Sequence, residues 1–175
     1  MKVLIVKLSA LGDVVQALPV AMAIREQVPQ ARLDWLVEAP SAGLLEGHPA
    51  LSQVLVSPRR KGHRLWPGQI RQWLQQLRSV EYDAVLDLQG LMKSAIFVGL
   101  SRGRRKIGFT GGKEPLAAWA LNERLPAYDR ERHALERYLD LLVPLGLRRP
   151  EVPSFGLEPG EPQMRVVRAL LALSL

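Results

Sequence analysis

Met1-Lys2-Val3-Leu4-Ile5-Val6-Lys7-Leu8-Ser9-Ala10-Leu11-Gly12-Asp13-Val14-Val15 is the stretch on which the fold turns. Val3–Val6 is a short continuous apolar run, the pattern of a strand buried on both faces, and Asp13–Val28 has the length and spacing of a helix. The same alternation repeats downstream. Leu33–Val37, Val54–Ser57, Ala84–Leu88 and Lys106–Phe109 predict further strands, and Gln69–Val80 and Leu91–Leu100 predict helices among them. The clearest helix is expected over Glu131–Val143, where Leu135, Tyr138, Leu139 and Leu142 share a face and Gly146 and Pro150 stop the pattern. Strands alternating with helices predict an α/β domain, a Rossmann-like, doubly wound parallel sheet with helices on both faces. Residues 1–149 read as that domain. Residues 150–175 read as a linker and the start of a second, truncated unit. Five prolines fall between Pro144 and Pro162, and the apolar Met164–Leu175 segment is followed by neither a glycine cap nor a strand.

The chain has 175 residues, 47% of them hydrophobic and 23% charged, which suits one ordinary domain with a real core and excludes a disordered or collagen-like chain. With no cysteine, a disulfide framework, a thiolate metal site and a cysteine nucleophile are all excluded. Lys7 closes the first apolar run too early for a signal peptide. No run reaches the roughly 18 apolar residues of a membrane span. A soluble, cytoplasmic protein is expected.

Charge is segregated. Lysine and arginine number 24 against 17 acidic residues, yet from Val56 to Lys113 twelve basic residues face only Glu81, Asp83 and Asp87. That stretch carries +9 and the remainder −2. Such a bias favours an anionic partner, whether nucleic acid, anionic lipid or a phosphorylated or carboxylated substrate; on composition alone a basic solvated surface is an equal alternative. Nucleic acid is the weaker reading. No helix-turn-helix or zinc-finger pattern is present, and aromatics at 6% supply little for base stacking.

Ligands of open parallel sheets sit at the carboxyl ends of the strands, which places Lys7–Val15 at a functional edge. The stretch is neither a dinucleotide fingerprint nor a P-loop. Gly12 is read as allowing a tight turn, and the helix N-terminus behind it offers free N–H groups to an anion. On the residues alone Asp13 is either a helix N-cap or a catalytic base.

Lys7-x-Ser9-x-Leu11-Gly12-Asp13-Val14-x-x-x-Leu18-Pro19 resembles the opening signature of the lipopolysaccharide heptosyltransferases. Three more phrases are similar to that family, in order: Asp34-Trp35-Leu36-Val37-Glu38, the run from Tyr82 through Asp87-Leu88-Gln89-Gly90-Leu91-Met92-Lys93 to Ser94, and His133-Ala134-Leu135-Glu136-Arg137-Tyr138. The likeness runs from residue 1 to about 145. Its third and fourth phrases are most similar to heptosyltransferase I, which adds the first heptose to the Kdo sugars of Kdo2-lipid A.

The resemblance implies the N-terminal, acceptor-binding half of a GT-B glycosyltransferase whose second domain holds the donor, ADP-heptose. It implies an inverting, metal-independent transfer with no cofactor and with Asp13 as general base, at the inner face of the bacterial inner membrane. Arg59, Arg60, Lys61 and Arg64 would bind the acceptor's phosphates and carboxylates, as guanidinium forks suit both. Arg124 matches a further acceptor arginine across a one-residue insertion. Ala10, Leu11 and Gly12 would offer amides to the donor pyrophosphate, while Lys7, Ser9 and Gln89 would at most support the site. No Asp-x-Asp metal pair exists; Asp129-x-Glu131 comes nearest and reads as a helix start. Arg102–Lys106 either faces anionic lipid or caps the preceding helix. Trp66 is expected to pack. Two other classes stay open: a stand-alone phospho-ligand or anionic-lipid binding module, and a basic nucleic-acid or membrane adaptor.

Overall fold

A computed structural model describes residues 1–58, 66–129 and 131–157. Six strands, β1 (Lys2–Val6), β2 (Arg32–Val37), β3 (Gln53–Val56), β4 (Tyr82–Asp87), β5 (Gly103–Phe109) and β6 (Glu123–Leu125), form one all-parallel sheet in the order β3-β2-β1-β4-β5-β6. Among the described residues five α-helices accompany them: α1 (Leu11–Gln27), α2 (Ala39–Leu45), α3 (Pro67–Leu77), α4 (Met92–Leu100) and α5 (Ala134–Leu139). This is the Rossmann strand order, and the expected doubly wound α/β class is the one found.

Alternate strand residues feed two cores. Val3, Ile5, Leu33, Trp35 and Leu86 pack under α1, α2 and α5, whereas Leu4, Val6, Leu36, Tyr82 and Val85 pack under α3, α4 and the short 3₁₀ helix Pro115–Ala120. Burial on both faces explains why the central strands read as unbroken apolar runs. On the second side, Trp73 of α3 meets Phe97 of α4 edge-on at 5.1 Å.

Three elements were not expected: α2, the 3₁₀ helix and β6. Each is short, and none carries a sustained period in sequence. The helix expected over Glu131–Val143 is real only over Ala134–Leu139. His133 Nδ1 accepts from Leu135 N at 3.3 Å and starts it, and the chain tightens into a 3₁₀ turn over Asp140–Leu145. Pro144 has no N–H, and its ring crowds the carbonyl four residues back, so the wider α turn cannot continue. Gly146, at φ 76°, then ends the segment. Asp129 lies ahead of the helix rather than starting it; its Oδ1 accepts from Glu131 N at 3.0 Å.

Candidate active site

The sheet reverses its winding between β1 and β4, and the crevice outside their carboxyl ends is the topological switch point where such folds bind ligands. The loop after β1 carries Lys7 to Ala10, and the loop after β4 carries Leu88 to Leu91. Gln89 ties the two together: its Oε1 accepts from Leu8 N at 3.1 Å and Ser9 N at 3.2 Å. The β4 loop is itself pinned by Asp87, whose Oδ1 accepts from Gln89 N and Gly90 N, each at 3.0 Å. Burial pushes the Asp87 carboxyl above the ordinary carboxylate range, partly offset by those N–H bonds.

Asp13 stands at this edge with its side chain 44% exposed. It is not the N-cap. Ala10 holds that place and Asp13 sits three residues on, where its Oδ2 accepts from Ala10 N at 3.4 Å. The same oxygen lies 3.5 Å from Lys7 Nζ. Lys7 is only 3% exposed; burial holds its ammonium below the usual lysine range, and Asp13 pulls it back up. Its Nζ also lies 3.5 Å from Leu88 O and 4.9 Å from the Tyr138 ring centroid. One oxygen of Asp13 is thus fixed by a lysine and an amide, while Oδ1 has no partner among the described residues. Gly12 makes no tight turn. It is the second residue of α1, its φ is not positive, and a Cβ there would meet nothing within 4 Å. The open space beside it is what the glycine provides.

Across the loop Lys93 Nζ donates to Ser9 Oγ at 2.5 Å and to Glu38 Oε1 at 3.2 Å, joining β1, β2 and α4 at the edge. Behind Lys7 a cavity of about 60 Å³ is walled by Asp87, Tyr128, Arg137 and Tyr138. It lies well below the 300–1,000 Å³ of a ligand pocket. Arg137 stacks 4.3 Å from the Tyr128 ring centroid, and Tyr128 meets Phe109 edge-on at 5.2 Å. Burial, then the Asp13 charge, raises the Tyr138 hydroxyl beyond the ordinary tyrosine range.

Of the expected acceptor residues, Arg59, Arg60, Lys61 and Arg64 lie outside the described residues. Arg124 is exposed on β6, three strands from β1 and so about 14 Å across the sheet. Its side chain has no partner among the described residues. The Arg102–Lys106 run serves the fold: Lys106 Nζ donates to Gly99 O at 3.0 Å near the end of α4, and Arg105 forks onto both Glu123 oxygens at 2.8 Å. Trp66 does not pack as expected; it is 75% exposed.

A family model described as glycosyltransferase family 9 (heptosyltransferase) matches residues 70–167, more than half of the chain. The chain belongs to that family. Among relatives of this heptosyltransferase-family chain, lipopolysaccharide heptosyltransferase 1 of Pseudomonas aeruginosa is 34% identical over 94% of the chain and 51% of the relative. The Escherichia coli K12 protein of the same name is 33% identical over 86% of the chain and 50% of the relative. The chain therefore spans about half the length of the curated relatives it matches. A structure of E. coli heptosyltransferase WaaC with ADP-2-deoxy-2-fluoro heptose superposes with a TM-score of 0.79 at 32% identity, over 89% of this chain and 52% of that one. E. coli ADP-heptose lipopolysaccharide heptosyltransferase II shares the fold, with a TM-score of 0.71 at 21% identity over 98% of this chain and 50% of that one.

Sequence reasoning gave no role to Glu38, Asp87, Arg137 or Tyr138, though each lies in a phrase shared with the family. Asp87 carried the clearest signal, an acid closing an apolar strand two residues before Gln89-Gly90, which is the pattern of an Asx turn.

Proposed function

We propose that residues 1–149 are the acceptor-binding domain of a heptosyltransferase that moves heptose from ADP-heptose to the Kdo region of Kdo2-lipid A, with inversion. The observation that carries this reading is the Asp13 carboxylate: one oxygen tethered by Lys7 and Ala10 N–H, the other unengaged, at the switch-point edge. An acceptor hydroxyl at that edge gives its proton to Asp13 as its oxygen bonds to the anomeric carbon. The bond from that carbon to the ADP phosphate breaks in the same displacement, and the pair of electrons leaves with ADP. Tethering holds the base in one orientation, so little reorganisation is needed at the moment of transfer.

The departing diphosphate needs donors aimed at its developing charge. The N–H groups of Leu11 and Gly12 serve this on the acceptor side, without a metal or other cofactor; the Ala10 N–H, expected to join them, is taken up by Asp13. The remaining donor contacts belong to the half of the relatives' length that these 175 residues do not span. Arg59, Arg60, Lys61, Arg64 and Arg124 receive the acceptor's phosphates and carboxylates, and the enzyme works at the cytoplasmic face of the inner membrane. Titration with a soluble Kdo–lipid A analogue tests the acceptor part. Arg59→Ala with Arg60→Ala should weaken binding at low salt, and unchanged affinity would return these residues to the reading of solvated charge.

A further inference from the structure

The outer layer formed by α3, α4 and the 3₁₀ helix Pro115–Ala120 is unusual in what it leaves in water. Trp66, 75% exposed, leads into α3, and Ile70 follows one turn later. Ile96 and Leu100 are exposed one turn apart on α4, and Leu116 (79%) and Trp119 (55%) are exposed on the 3₁₀ helix. These are neighbouring elements rather than scattered ones. Trp73 and Phe97 join α3 to α4, and the Trp119 ring lies so close over Gly99 that a Cβ there would sit 2.6 Å from it. Along α3 an apolar groove of about 590 Å³ is floored by Pro67, Ile70 and Leu74 and flanked by Arg71 and Arg78. The three elements contain no aspartate or glutamate.

We propose that this layer is the face by which the protein lies on an anionic phospholipid membrane, with the two tryptophans and Leu116 at the headgroup boundary and Arg71 and Arg78 toward lipid phosphates. The inference rests on the membrane-surface part of the proposed function and names the face that serves it. Charge decides the occupant. A second copy docked through the same face about a two-fold axis would bring this arginine-bearing surface against itself, the nearest acid in sequence, Glu114, being taken up by Met92 N at the start of α4. Among the described residues nothing covers this layer: the last of them, with Phe155 and Gly156 packed by His48 and Met22, lie on the side of the sheet covered by α1 and α2. An anionic bilayer instead offers phosphates to the arginines and an interface in which tryptophan is favoured. The crevice at the carboxyl edge is left free, because the layer covers a face of the sheet and not that edge.

The test uses vesicles of phosphatidylcholine alone and of phosphatidylcholine with phosphatidylglycerol, neither containing any lipopolysaccharide precursor. A result on this face is therefore independent of the acceptor reading. Flotation should show binding to the mixed vesicles that weakens with salt. Leu116→Ser with Trp119→Ser should lower it about tenfold or more, and Arg71→Gln by about fivefold. In the unsubstituted protein, brominated lipids should quench Trp66 and Trp119 while the buried Trp35 stays bright, a readout independent of how well the variants fold. The proposal is overturned by absence of binding to the mixed vesicles, by unchanged binding of the serine variant, or by a vesicle-free dimer that the same substitutions dissociate. Tryptophans already shielded from iodide before lipid is added would overturn it equally.

Discussion

Replacing Asp87 by asparagine and by alanine should give very different proteins. The carboxyl is 3% exposed and holds two turn N–H groups on Oδ1, with Ser94 Oγ 3.2 Å from Oδ2. Ser94 has one hydroxyl proton, and Leu91 O lies nearer to it, at 2.8 Å. That proton is shared between Leu91 O and Asp87 Oδ2, with Ser94 the donor to the carboxyl. Asparagine keeps a carbonyl for the two N–H groups, and its amide can donate to Ser94 Oγ once the hydroxyl proton goes to Leu91 O, so Asp87→Asn should cost less than about 1 kcal/mol. Alanine leaves two half-buried N–H groups without an acceptor, at a cost of about 2–4 kcal/mol. Because Gln89 loses its anchor, the Leu8–Ser9 loop that leads to Asp13 should loosen too.

Urea unfolding of the two variants measures this directly, and its pH dependence adds a second check. A carboxyl raised in the folded state keeps a proton that the unfolded chain has lost. Native stability should therefore fall as pH rises from 3.8, the ordinary value, through the raised folded value, and Asp87→Asn should remove that fall. Equal destabilisation by both variants, or an unchanged acid limb in Asp87→Asn, would refute the reasoning.

Two further outcomes follow from the same geometry. Gly12→Ala should raise thermal stability by up to about 1 kcal/mol, since the helical position is unstrained and open, yet raise KM for ADP-heptose in a polypeptide joining these residues to the donor half of the family; unchanged KM there would remove Gly12 from the donor site. Tyr82 donates to the buried Asp34 Oδ2 at 2.7 Å, and burial raises its hydroxyl first, Asp34 second. The folded state keeps that proton above pH 10, the ordinary tyrosine value, so stability should fall there, most visibly above 10.5, where the opposite contribution of Lys7 is complete. Tyr82→Phe should make this alkaline limb shallower in urea titrations, and an identical slope would reject the assignment.

The central strands and α1 were legible because burial on both faces forces unbroken apolar runs, a signal that needs no partner to be seen. The edge elements were not. β6 has three residues and is held by pairing Ile107, Gly108 and Phe109 with Glu123, Arg124 and Leu125, a long-range fact without a local pattern. The site divides in the same way. Asp13 was visible from its place after a strand, with Lys7 and Gln89 as supports, but Gln89 and the Asp87 that pins it meet the β1 loop only because β1 and β4 are neighbours, and strand order is not written in spacing. Trp66, expected to pack, is left in water, and of the Arg102–Lys106 run, open between lipid and a helix cap, Lys106 reaches Gly99 O where α4 ends and Arg105 pairs with Glu123 of β6.

The most direct test is Asp13→Asn in a polypeptide joining these residues to the donor half of the family, read as acceptor-dependent ADP release from ADP-heptose. Asparagine can still accept from Ala10 N and Lys7 Nζ, so the loop is kept while the base and the Lys7 ion pair are lost. Transfer should fall by about a hundred- to ten-thousandfold, with ADP-heptose affinity unchanged. A variant that keeps its rate, or loses it only through weaker donor binding, would contradict the role of Asp13 and with it the account of this edge as the catalytic one.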